Sequence, residues 1–217
     1  MRPIALVVVA VCVAAIGVHT QDTGRPGASG QTFRTATRLI QVSVVVHDGR
    51  KRPVEGLRAE DITRVTTHVH QGAIDVLGRV TVPQTVHQAK FSMGTVLGLI
   101  ALYGKAGLTE FHSHALSDPL VGEFREKVSM TLDPEVDAAY PARWLGRVEV
   151  TTTDGRALLG AIDEPKGDPG NTLNRAELED KFRRLVQFSG ARGDEQADAL
   201  IETVWRLREI TDLEVLR

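Results

Sequence analysis

The sequence predicts an α+β domain, on three observations. Short segments rich in β-branched residues alternate with period two. One helical run is apolar nearly all round, and two amphipathic helices close the chain. Their order never settles into the strand–helix–strand repetition of a doubly wound sheet. At 217 residues there is room for one ordinary domain and a leader. Hydrophobic residues at 42% and charged residues at 25% give a globular rather than a disordered balance.

The elements follow in order. Arg2 precedes Ile4–Val18, which is uncharged and aliphatic apart from Cys12 and Gly17, and a Gly/Pro/Ser-containing stretch follows at 24–30. Charge, apolar core and polar flank are the order of a secretory signal. The run is shorter than the ~20 residues that span a bilayer comfortably, and no clean small-x-small pair precedes Gln21. Residues 1–20 are therefore expected to be signal-like, 21–60 a linker with a β segment, and 61–217 the domain. Contact with a membrane is expected only through the apolar run. Cys12, the only cysteine, would leave with a cleaved signal, so neither a disulfide nor a thiolate metal site is expected.

In the β segment, Ile40, Val42, Val44 and Val46 alternate before an Asp48-Gly49 turn pair. Ile62–His70 reads as a strand, with Thr63, Val65, Thr67 and Val69 alternating. Gly72–Pro83 reads as a turn-rich connection with a strand contribution from Val76 to Val82. His87–Tyr103 reads as one buried helix, because Phe91, Met93, Val96, Leu97, Leu99, Ile100 and Tyr103 cover most of its surface. Gly94 and Gly98 lie four apart on it, each costing about 1 kcal/mol of helix propensity relative to alanine. Close approach of another backbone is the expected compensation, favoured over close approach of a ligand.

Asp118-Pro119 is a capped helix start. It opens a helix to about Lys127, with Leu120, Val121 and Phe124 as its apolar stripe, and Val128–Leu132 follows as a strand. Gly146–Thr153, the turn Asp154-Gly155 and Arg156–Ile162 form a hairpin with one solvent face. Asn174 with Glu177 is a capping box for a helix expected to bury Leu178, Phe182, Leu185 and Val186. A last helix after Gly193-Asp194 is expected to turn Leu200, Ile201, Val204, Trp205 and Leu207 inward.

The formal net charge of −2 and an aromatic content of 5% exclude a nucleic-acid groove. Among seven histidines, His68 and His70 share a strand face and are expected to be a solvent-facing pair. No third metal ligand accompanies them. His112 and His114 flank Ser113 in a short helical piece that points them apart. No Gly-x-Ser-x-Gly elbow or phosphate-binding Walker loop is present.

Two places remain for chemistry. At the start of the buried helix, Lys90, Ser92 and Thr95 sit where free N–H groups and the helix dipole favour a carboxylate; the structural alternative is capping. In the loop Glu164–Asn171, Lys166 can reach an anion, with a surface turn as the default.

These places carry a resemblance. His87-Gln-Ala-Lys-Phe-Ser-Met93, Leu132-Asp-Pro-Glu-Val-Asp137, the loop from Glu164 to Leu173 and Glu177-Leu-Glu-Asp-Lys-Phe182 resemble the C-terminal region of the MmgE/PrpD family, from about Asp61 to the terminus. That family contains 2-methylcitrate dehydratases, cis-aconitate decarboxylases and an iminodisuccinate epimerase. The resemblance implies acid/base chemistry beside a carboxylate, without metal or cofactor, in a homodimer. It implies a lid-like α+β domain from Asp61 to about Leu173 whose last helices return to a large helical domain. Most family catalytic residues, a lysine–histidine motif included, precede this region, and the leader occupies that place here. A family position that often carries an active-site tyrosine is Thr95.

The catalytic candidates are thus Lys90, Ser92 and Thr95, and the substrate-binding candidates His87, Lys90 and Lys166. The expected function is the C-terminal domain of a lyase for small tricarboxylic acids, inactive by itself. The alternative is a secreted, non-enzymatic binding module reusing the lid. Residues 33–61, with Arg52-Pro-Val-Glu-Gly-Leu57 and Asp61, resemble the start of von Willebrand factor A-related secreted bacterial proteins, without their Asp-x-Ser-x-Ser motif. Localisation conflicts: exported by the leader, cytoplasmic by the family.

Overall fold

The computed structural model describes residues 54 and 56–210 except 192, with the backbone of two short fragments, Val7–Val8 and Val44–Val45, paired antiparallel. The rest of the leader, Cys12, and most of the segment from 38 to 53 lie outside the described residues.

Four strands form the main sheet: β1 (Ile62–Val69), β2 (Val128–Leu132), β3 (Gly146–Thr152) and β4 (Ala157–Ile162), in the order β2-β1-β3-β4. β1 pairs parallel with β2, Val65 opposite Val128. It pairs antiparallel with β3, Thr67 opposite Val148. The β3–β4 pair is the hairpin expected from Asp154-Gly155, with Gly155 at φ 82°. A parallel pair needs a long crossover, and all the helices from α1 to α5 lie in it: α1 (Gln71–Leu77), α2 (Val86–Ala89), α3 (Met93–Tyr103), α4 (Leu108–Ser113) and α5 (Pro119–Glu126). Three further α-helices occur among the described residues: α6 (Pro134–Ala139), α7 (Arg175–Ser189) and α8 (Asp194–Trp205).

Alternation sorts the sheet into two faces. Val65, Thr67, Val148, Val150 and Leu158 are buried on one, while Leu159 and Glu149 sit on the other. The buried face meets α3, where Leu97, Ile100 and Ala101 join Ile62, Val65, Val150 and Phe124 of α5. α3 is buried from Met93 to Ala101 except at Gly94, as an all-round apolar helix must be. Leu99 has no exposed surface, which stabilises by about 1.5–3 kcal/mol relative to exposure.

The glycine pair behaves as its spacing predicts. A Cβ on Gly94 would sit 2.6 Å from Arg125 Cγ and 2.9 Å from the Arg125 carbonyl oxygen; one on Gly98 would sit 3.2 Å from the Val121 carbonyl oxygen. The chain of α5 therefore runs along this face of α3, antiparallel to it.

Two readings are corrected and one helix is added. Residues 71–77 form α1, not a turn-rich connection or strand, because His70 caps them and Ala73 and Leu77, four apart, bury one face. The run from 87 to 103 is two helices: Ser92 stands extended at φ −111°, ψ 106°, and a serine that can bond its own downstream backbone favours a cap over a helix interior. α6 was not foreseen, although Asp133-Pro134 repeats the signature of Asp118-Pro119, and Asp133 accepts from the N–H groups of Glu135 and Val136.

The C-terminal helices depart most from expectation. α7 has no buried residue, and Leu178 and Leu185 are 41% and 43% exposed. α8 buries Ala197 and Ile201, while Val204, Trp205 and Leu207 face outward. The two helices pack on each other, Arg183 pairing with Asp198 at 2.8 Å and Trp205 Nε1 donating to Glu179 at 2.9 Å. They meet the remainder through contacts such as His112 edge-on to Phe188. An amphipathic stripe states that a helix can bury one face; it does not supply the second surface.

The capping box of α7 is present, with Asn174 accepting from Glu177 N–H at 3.0 Å and Glu177 accepting from Asn174 N–H at 2.8 Å. Asn174→Ala is expected to cost about 1 kcal/mol of local helix stability. Amide exchange over 175–179 should speed up while the melting of the sheet stays within a degree or two of the parent.

Candidate functional site

The α2–α3 junction is built by two successive caps. Thr85 Oγ1 accepts from Gln88 N–H at 3.1 Å and starts α2. The chain then turns through Lys90 and Phe91, whose N–H groups bond back to His87 and Gln88, and Ser92 starts α3. Ser92 Oγ accepts from Thr95 Oγ1 at 3.0 Å and from Thr95 N–H at 3.5 Å. Both residues are buried, Thr95 with no exposed surface. The two hydroxyls thus satisfy each other as a cap, which is the arrangement the structural alternative describes.

His87 is exposed and tilts against Phe91 at 5.1 Å between ring centroids. Lys90 is half-buried on the same turn. Sequence reasoning missed Arg125: its Cγ and carbonyl lie over Gly94, while its guanidinium runs back along its own helix, where a Cβ on Gly122 would sit 3.7 Å from Nη2. The glycine spacing signalled that some backbone approaches there; it could not say whose.

Lys166 is held in an ion pair. Its Nζ lies 3.0 Å from Glu177 Oε2, clasping the 163–173 loop to the start of α7. The Asn174 N–H, then Lys166, hold the Glu177 carboxyl below the usual carboxylate range. The loop closes on itself as well, Asn171 Nδ2 donating to the Glu164 carbonyl at 3.0 Å. The structure brings His87, Lys90, Ser92 and Thr95 together over the α2–α3 junction, with the Arg125 backbone against Gly94, and pairs Lys166 with Glu177.

The histidine pair is a correction. The strand ends at Val69, so His70 lies outside it, caps α1 and is 5% exposed rather than solvent-facing. His114 stacks on Tyr103 at 4.1 Å, while His112 turns to Phe188, so these two do point apart. The Tyr103 hydroxyl donates to Asp118, and that bond leads the causes holding the Asp118 carboxyl low. No group of three or more His, Cys, Asp or Glu placed to hold a metal ion occurs among the described residues, and no described helix is long and apolar enough to cross a membrane.

The domain is a mixed four-stranded sheet carrying a glycine-packed helix, and its family is shown by sequence: the chain belongs to the MmgE/PrpD C-terminal domain family, which matches residues 40–207. It is similar, at a distance, to cis-aconitate decarboxylase of Mus musculus, with 25% identity over 134 residues, 62% of this chain and 27% of that protein. The chain thus spans little more than a quarter of that relative's length. The family match begins ahead of Asp61, and Leu57 and Ala59 are buried in the same core as the sheet and α3.

Proposed function

We propose that this domain serves as the lid of an MmgE/PrpD-type lyase acting on small tricarboxylic acids such as cis-aconitate or 2-methylcitrate. It contributes the α2–α3 junction to a site completed by a helical domain, on the same or another polypeptide, and is inactive without it. The observation that carries the reading is the family match over residues 40–207. The junction supports it chemically. Lys90 supplies positive charge beside a helix start, which suits a polycarboxylate. The hydroxyls of Ser92 and Thr95 are taken up by each other, so the acid and base that move protons come from elsewhere. A homodimer of completed units belongs to the same proposal.

The purified chain, incubated with cis-aconitate and separately with 2-methylcitrate and followed by proton NMR, is expected to show no turnover. Conversion at the ordinary enzymatic scale of about 1 s⁻¹ or more would overturn the inactive reading. Addition of a helical domain from a family member is expected to raise turnover in the wild-type chain and less in Lys90→Ala.

The second reading, a secreted binding module, rests on the signal-like order of Arg2 and Ile4–Val18. Processing near residue 20 with a protease-resistant core in an exported fraction would favour it.

A further inference from the structure

We propose that His70 is a proton-operated latch: protonation of its Nδ1 uncaps α1 and releases that helix and the Tyr140–Trp144 turn from the sheet, which itself stays folded. The proposal starts from a corner of the fold tied by side chains rather than by a strand ladder. His70 Nδ1 accepts from Ala73 N–H at 3.2 Å, sharing that donor with the His70 carbonyl at 3.1 Å. A ring nitrogen that accepts carries no proton, so the ring is neutral with its hydrogen on Nε2. The face of the ring stacks on Tyr140 at 3.9 Å and 4°, and Trp144 stands edge-on to both, 5.7 Å from His70 and 5.0 Å from Tyr140. The absence of a side chain at Gly72 makes room: a Cβ there would lie 3.2 Å from Nδ1. The next residue is held the same way, Gln71 N–H donating to Asp137 Oδ1 of α6 at 2.8 Å.

Adding a proton to Nδ1 replaces an acceptor by a donor facing another donor. It also puts positive charge at the positive end of a helix in a site 5% exposed. The charged group facing the ring is Asp137 of α6; Tyr140 and Trp144 face it with aromatic surface. Burial lowers the tendency of His70 to take up a proton, and Asp137 opposes this without overcoming it. The sign follows. The open form binds the proton more tightly than the closed form, so closure is complete above the ordinary histidine value of about 6.5. Closure is lost as pH falls through that value toward the depressed closed-state one, with the opening constant rising by up to about tenfold per pH unit. α1 has only seven residues, too few to persist once uncapped and unstacked.

Amide exchange of the full chain, expressed as protection factors so that intrinsic exchange cancels, tests the latch. Between pH 7.5 and 5.5, protection at Ala73 and Ile74 is expected to fall about tenfold, while Val65 and Val150 keep theirs. In His70→Asn, whose amide oxygen caps without titrating, the fall is expected to vanish. In Asp137→Asn, which keeps an acceptor for Gln71 N–H but removes the charge, its midpoint is expected to move to lower pH. This second variant tests the proposal even if the first does not fold. Protection at Ala73 independent of pH, an equal fall in His70→Asn, a midpoint unmoved or raised in Asp137→Asn, or parallel loss at Val65 and Val150 would each overturn it.

Discussion

Phe111→Ala is expected to remove about 3–5 kcal/mol of folding stability, enough to bring a domain of ordinary stability, about 5–15 kcal/mol, close to unfolding. Phe111 is 1% exposed and the largest of the fully buried side chains. It is the only large apolar anchor that the six-residue α4 sends into the core, with Ala115 beside it in the next turn of chain. A helix of that length has no independent stability. Truncation therefore removes both the transfer free energy of the ring and the support of what α4 carries: the stack of His114 on Tyr103 and the bond from Gly107 N–H to Glu110. Urea denaturation would measure the loss, with Phe111→Leu expected to fall about midway. A loss under about 1 kcal/mol for the alanine variant would mean that α4 contributes nothing to the core.

Gly94→Ala is the second large effect, expected to destabilise by about 1–3 kcal/mol even though alanine is intrinsically the better helix residue by about 1 kcal/mol. Two of the atoms the new methyl would meet are backbone: the Arg125 carbonyl oxygen at 2.9 Å and Cα at 3.2 Å. Backbone inside a helix pair cannot swing aside as a side-chain tip can, so α3 and α5 must separate. Gly98→Ala makes the informative control, because its nearest neighbour, the Val121 carbonyl oxygen, lies at 3.2 Å. There the propensity gain and the crowding nearly offset each other, and a change of under about 1 kcal/mol is expected. Equal thermal shifts for the two variants would contradict this account of the packing.

The same pair shows how much of the site was legible. Two glycines four apart in an apolar helix announced that a backbone comes close, and one does. That the neighbour is the end of α5, bringing Arg125 to the start of α3, depends on a non-local contact that no spacing within residues 87–103 encodes. Ser92 and Thr95 illustrate the limit from the other side. Their position at a helix start was readable, and both anion binding and capping were open readings. Only the 3.0 Å bond between the hydroxyls shows that they engage each other. Lys166 had an acidic partner eleven positions later in the sequence, Glu177. That pairing depends on how the Gly/Pro loop folds back, which residue type alone does not state.

By itself, the sequence determined what short-range chemistry can determine. Asp118-Pro119 and Asn174 with Glu177 started helices, Asp154-Gly155 turned a hairpin, and alternation in 62–69 and 146–152 divided a sheet into two faces. These signals act over a few residues, where a side chain either satisfies a nearby N–H or does not. Only the tertiary structure decided that β1 lies parallel to β2, that His70 is buried against Tyr140, and that the apolar stripes of α7 and α8 stay largely uncovered among the described residues. Burial is a property of two surfaces together, and a pattern on one of them cannot name the other.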